Sequence, residues 1–264
     1  MTLFARCFLL VFCQLGVGGL LSLAVPPFHE LERGFFKSSG GVFLFGSLVG
    51  GLGTVWLWLT REASGIGPVE ALLWIVHGGL FAAYLSSLWG DAMAARARLF
   101  AAALLTGIAA LATSAWALAA GQGAAVHLLA VANALVGAAA LGAVTTGMLI
   151  GHWYLIDTSM EIDPFRRCFR WFVWTLSAEL ACIAVLALYL AIFPPEALAD
   201  HSLLFALRVV LGPIAALGIA FMIHRVLLIP QTMAATGLFY IATLAVLVGE
   251  ILGRYFTFRT GLPL

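Results

Sequence analysis

The sequence predicts an all-α fold: a polytopic transmembrane helix bundle of eight spans with both termini outside. Three observations carry that expectation. The chain is 63% hydrophobic and only 9% charged, whereas a soluble domain holds roughly 25% charged residues. Its mean hydropathy is +1.09. Its apolar residues fall in runs that match the ~20 helical residues needed to cross a bilayer core, with Pro- and Gly-rich breaks between them.

The first span, 3–25, ends at Pro26-Pro27. The second, 38–59, follows a charged stretch and stops before Thr60-Arg61-Glu62. The third, 68–89, opens with Pro68 after Gly65-Ile66-Gly67, and proline is at home in the first turn of a helix. The fourth, 97–119, is closed by Gly121-Gln122-Gly123. The fifth, 125–155, is longer than a bilayer requires, which predicts tilt or projection beyond it. The sixth, 170–193, lies between Pro164 and Pro194-Pro195, and the seventh and eighth, 203–228 and 231–256, flank Pro230. The longest connections, 12 and 14 residues, are too short to fold alone, so 1–264 reads as a single integral membrane domain.

Charge orients the bundle. Arg33, Lys37, Arg96, Arg98, Arg166, Arg167, Arg170 and Arg225 fall on one side, and Arg6, Arg61, Arg254 and Arg259 on the other. The positive-inside rule places the first set in the cytoplasm. Arg6, the apolar run after it and Ser22-Leu23-Ala24 loosely fit a cleavable signal. Gln14 and the Gly16, Gly18, Gly19 group fit a retained, packed span better. A net charge of +1 offers no polybasic surface, so nucleic acid is not an expected partner. The four cysteines form no CxxC pair, so no zinc site or Fe–S cluster of this chain's own is expected. Gly46 and Gly50, and Gly147 and Gly151, are spaced for ordinary close helix packing. No internal repeat is evident, which argues against a transporter of inverted halves.

Function is sought in the polar residues that lipid does not tolerate: Arg6, Gln14, His77, His127, Asn133, His152, Glu179, Arg208, His224, Glu250 and Arg254. Ionisable groups at bilayer depth persist when they face the bundle interior, pair with one another or line a path. Position along each span places Gln14, His77, Asn133 and Glu179 near mid-bilayer. His152 and His224 come to similar depth near the cytoplasm. Arg208, Glu250 and Arg254 lie toward the outside, level with Arg61 and Glu62. Glu250 and Arg254 are four apart, the spacing of a helical ion pair. Trp153 and Tyr154 fit an aromatic belt, and His127 an interfacial position.

Two end motifs, Gln14-Leu15-Gly16-Val17-Gly18-Gly19 and Gly249-Glu250-Ile251-Leu252-Gly253-Arg254 followed by Tyr255 and Phe256, resemble the DmsC-type membrane anchor of dimethyl sulfoxide reductases, within the broader NrfD-like group of quinol-interacting subunits. The resemblance implies eight spans with both termini outside, in a bacterial inner membrane. It also implies electron transfer from quinol to an Fe–S subunit that feeds a molybdopterin enzyme, with no haem in the anchor itself. The family's quinol-linked histidine has no counterpart in Thr60-Arg61-Glu62-Ala63-Ser64-Gly65.

The residues then sort into expectations. Gln14, Arg61, Glu62, Glu250 and Arg254 would bind menaquinone or ubiquinone transiently. His77, Glu179, His152 and His224 would relay protons. Two alternatives stay open: a b-type haem held between His152 and His224, or a small-solute or proton transporter. Expected partners are the Fe–S subunit, the catalytic subunit and membrane lipids.

Overall fold

In a computed structural model, residues 3–61, 67–156, 160–193, 200–229 and 231–263 are described. Eight helices are long and apolar enough to cross a membrane: α1 (Leu3–Ser22), α2 (Arg33–Leu59), α3 (Pro68–Ser87), α4 (Met93–Leu118), α5 (Ala124–Ile156), α6 (Asp163–Ile192), α7 (Ser202–Leu228) and α8 (Thr232–Thr260). Among the described residues there is no strand.

The helices outrun the predicted spans where charge lies beside the apolar run. Helix α2 starts at Arg33 and α6 at Asp163, with Pro164 in its first turn. An apolar window ends at the first arginine, but a helix does not. Ion pairs hold these extensions: Arg33 to Asp91 at 2.9 Å and Arg167 to Glu30 at 3.3 Å. Lys37 sits over the Trp89 ring at 4.4 Å. Helix α7 departs from a plain span, because it contains a π-helical turn at Val210–Ile214 around Pro213. Proline has no N–H to give to the preceding turn, and a wider turn absorbs that loss. Helix α8 ends on Gly261, whose φ of 72° is the left-handed cap that favours glycine.

Successive helices run antiparallel. The starts of α1, α3, α5 and α7 and the ends of α2, α4, α6 and α8 therefore share one end of the bundle, here the terminal end. Helices α1–α4 form one four-helix half and α5–α8 the other, and α1 and α5 join them. These two have 56% and 61% of their apolar windows buried, against 28–39% in the other six, which marks them as the central pair. Glycine sets how close they come. A Cβ on Gly18 would overlap the Ala138 carbonyl, and one on Gly142 the backbone of Gly18. Gly46 and Gly50 turn to α1 as the spacing suggested, whereas Gly147 and Gly151 receive Phe239 and Thr236 side chains of α8. The outer surface is apolar, with Trp56, Leu105, Trp174, Leu203 and Phe221 all exposed. A bundle that turns large apolar side chains outward and buries Gln14, Glu179, Arg208, Glu250 and Arg254 is matched to lipid.

Candidate functional site

Two polar centres lie inside the bundle. The first is built around Glu250 of α8. Its Oε1 accepts from Arg208 Nη2 at 2.6 Å. Its Oε2 accepts from Gln14 Nε2 at 2.6 Å and from Arg254 Nη2 at 3.2 Å. Arg208 Nη2 also donates to Glu179 Oε1 at 2.7 Å, and Gln14 Nε2 to the Ala134 carbonyl at 3.1 Å. Helices α1, α5, α6, α7 and α8 thus meet at one charge-balanced group of two arginines and two carboxylates. Each of these side chains is at most 2% exposed. The glycines make the room: Gly137 of α5 faces the Glu250 carboxyl, and Gly212 and Gly249 flank Arg208 Nη1. Paired charges persist in an apolar interior because each offsets the desolvation of the other.

This group is not fully satisfied by the protein. Gln14 Oε1, both polar atoms of Asn133, Glu179 Oε2, Arg208 Nε and Nη1, and Arg254 Nε have no protein hydrogen-bond partner. Five of the eleven such buried atoms among the described residues belong to the hydrogen-bonded group itself, and Asn133, one turn before Gly137 on α5, adds two more.

The second centre is a cleft at the terminal end, between α1, α2, α3, α4 and the last turns of α8. Arg6, Leu9, Leu10, Thr54, Leu57, Glu70, Ser114, Ala117, Leu118 and Phe258 line it. Glu70 Oε1 accepts from Ser114 Oγ at 2.5 Å, and Ser114 Oγ in turn accepts from Trp74 Nε1 at 3.2 Å. Glu70 Oε2 has no protein partner. The Arg6 guanidinium stands 4.9 Å from the Phe258 ring centroid. The two centres are joined by helix period: Arg6, Leu10 and Gln14 share one face of α1, and Phe258, Arg254 and Glu250 one face of α8. Eight residues of helix separate them by about 12 Å along the axis.

The predicted quinone set does not form one site. Gln14, Glu250 and Arg254 come together, with the expected i,i+4 pair formed. However, both Glu250 oxygens are engaged and the residue is fully buried, so no face is left for a ring. Arg61 is exposed at the end of α2, and Glu62 lies outside the described residues.

The predicted relay also divides. His77 is fully buried in the α1–α4 half, with Nδ1 2.8 Å from the Ala103 carbonyl and Nε2 3.0 Å from Ser47 Oγ. A carbonyl only accepts, so Nδ1 carries the proton and Ser47 donates to Nε2. That ties α2, α3 and α4 together. Glu179 belongs to the charged group, while His152 and His224 are exposed. His152 meets Tyr240 Oη at 3.2 Å and His224 stacks on Phe169. His152 on α5 and His224 on α7 are both exposed, and α6 and α8 are the helices that pack against both α5 and α7. Tyr154 is buried and donates to the Glu161 carbonyl, so it is no belt residue. His127 is half-buried and stacks on Trp116 at 4.4 Å.

The sequence reading passed over Glu70, Trp74 and Ser114. An acid in the first turn of a helix reads as a partner for its dipole. The available signal was Glu70, Trp74 and His77 recurring on one face of an otherwise apolar helix. Compared with protein-family models, curated proteins and solved structures, the chain finds no match.

Proposed function

We propose that this chain is the integral membrane anchor subunit of a bacterial respiratory oxidoreductase complex, exchanging electrons and protons with quinone or quinol in the α1–α4 cleft. The observation that carries the reading is a carboxyl with one uncommitted oxygen, Glu70 Oε2, at a cleft walled by leucines and Phe258. A quinone is a flat apolar ring with an oxygen at each end. The cleft holds about 50 Å³ as it stands, so a ring enters only as Leu9, Leu10, Leu57, Leu118 and Phe258 part around it, and Glu70 and Arg6 then face its oxygens.

Oxidation of a quinol releases two electrons and two protons. The Glu70 carboxylate accepts one hydroxyl proton at Oε2 and the other leaves to water at the terminal end of the bundle, while the Ser114–Trp74 chain holds Oε1 in place. Arg6 stabilises negative charge that builds on the ring oxygen as the proton leaves. The electrons pass to an Fe–S partner subunit and on to its catalytic subunit, of molybdopterin type in the resemblance noted above. Menaquinone and ubiquinone both fit this chemistry, and the bacterial inner membrane is the setting it implies.

A photoreactive azido-quinone, added to the purified protein in nanodiscs, tests the site. Labelling is expected on peptides of α1, α3 and α4 and is competed by unmodified quinol. Glu70→Gln is expected to slow quinol-dependent turnover of the assembled complex about 100-fold. Label that does not saturate, or wild-type turnover in Glu70→Gln, overturns the assignment.

A further inference from the structure

We infer that Glu179 and Glu250 form a carboxyl pair that binds one exchangeable proton inside the membrane, with Glu179 as the residue that takes it up. The two carboxyl groups share one donor, Arg208 Nη2, at 2.7 Å and 2.6 Å. Both carboxyls are thereby drawn to one guanidinium nitrogen. Two carboxyls held against one nitrogen hold a proton between them more readily than either does alone.

Their surroundings are unequal, and this decides where the proton goes. Glu250 accepts three hydrogen bonds, from Arg208, Arg254 and Gln14, and all three favour its anion. Glu179 accepts one, and its Oε2 is buried without a protein partner. A proton on Oε2 converts an orphaned acceptor into a donor. It comes from water, and the carboxylate becomes a carboxylic acid with no other bond changed. The charged and polar groups around Glu179 are Arg208 from α7, Glu250 and Arg254 from α8 and Gln14 from α1, with the Cys182 thiol one turn along its own helix.

Two further features adjoin the pair. Asn133 of α5 is fully buried with neither polar atom partnered. It stands one turn before Gly137, which faces Glu250, as Arg254 stands one turn after Glu250 on α8. Buried polar groups of this kind are normally satisfied by internal water. Asn133 and Arg254 lie on the side of the cleft, toward which the α1 and α8 faces that the two centres share run. The π turn begins two residues after Arg208, where Pro213 gives no N–H to the preceding turn.

The test is infrared difference spectroscopy of the purified protein during acidification, in H₂O and in D₂O. The carbonyl stretch of a newly protonated buried carboxylic acid is expected, shifted in D₂O because the proton exchanges. Glu179→Gln removes that band. Glu179→Asp keeps a carboxyl and an ion pair with Arg208, and retains the band at a shifted frequency. No protonation band in the folded wild type, or a band unchanged in both variants, overturns the proposal. Neither quinone nor partner enters the measurement, and azido-quinone labelling is expected to be unchanged in Glu179→Asp. The two proposals therefore fail separately.

Discussion

At the scale of the residue, Arg208 holds the interior together. One Nη nitrogen serves two carboxylates, both almost fully buried. Removing it leaves two carboxylates facing each other, with Arg254 alone to balance them. Arg208→Gln is therefore expected to cost about 3–5 kcal/mol, the penalty of an uncompensated buried charge. Reversible unfolding in mixed micelles measures it, and a loss of only ~0–1 kcal/mol, as for a surface pair, would show that the arginine is not needed to balance the carboxylates. His77 behaves differently despite its similar burial. Both its nitrogens are satisfied by groups of the same half-bundle, so it reads as a strut between helices. The sequence placed Arg208, Glu250 and Arg254 in one layer and predicted the Glu250–Arg254 pair, because four residues on one helix is a fixed geometry. It did not predict that Arg208 joins Glu179 to Glu250, because those contacts span 29 and 42 residues and depend on which helices become neighbours.

At the scale of the element, α1 and α5 determine how the halves meet. Their contact is close enough that Gly18 and Gly142 have no space for a methyl group. By contrast, a Cβ at Gly79, Gly218 or Gly237 meets nothing within 4 Å. Gly142→Ala is expected to destabilise the protein by about 1–3 kcal/mol through overpacking, and to broaden its elution in size-exclusion chromatography. Gly218→Ala is expected to leave the profile unchanged, or improve it slightly by raising helix propensity. Equal behaviour of the two variants would show that the seam tolerates a wider spacing. The glycine clusters of α1 and α5 were visible in the sequence. Which helix each glycine turns to was not, since Gly147 and Gly151 share the same i,i+4 spacing as Gly46 and Gly50 yet accept side chains and not a backbone.

At the scale of the whole molecule, eight antiparallel spans bring the start of α1 and the end of α8 to one end of the bundle. In a background without native cysteines, Phe4→Cys and Arg259→Cys are expected to react with a membrane-impermeant maleimide from the same side. Arg98→Cys is expected to react only from the other side. Phe4→Cys and Arg259→Cys labelling from opposite sides would mean that one span does not cross. At this scale the polar centres fall in different parts of the bundle: the cleft opens among α1–α4, and the charged group is enclosed by α5–α8 with Gln14 of α1 as the link.

The number of helices, most of their bounds and the identity of the costly polar side chains were legible in the sequence, while α2 and α6 begin five and seven residues before their predicted spans. Each follows from local chemistry: the length of an apolar run, the breaks at proline and glycine, and the expense of charge in oil. Depth was legible only in part, since Gln14 and Glu179, placed at mid-bilayer, bond to Glu250 and Arg208, placed toward the outside. Rotation about each helix axis was not. A side chain at a given depth points toward a partner, a cleft or lipid according to how eight cylinders pack. That packing separated His77 from Glu179, closed Glu250 off and left Glu70 as the carboxyl at the cleft.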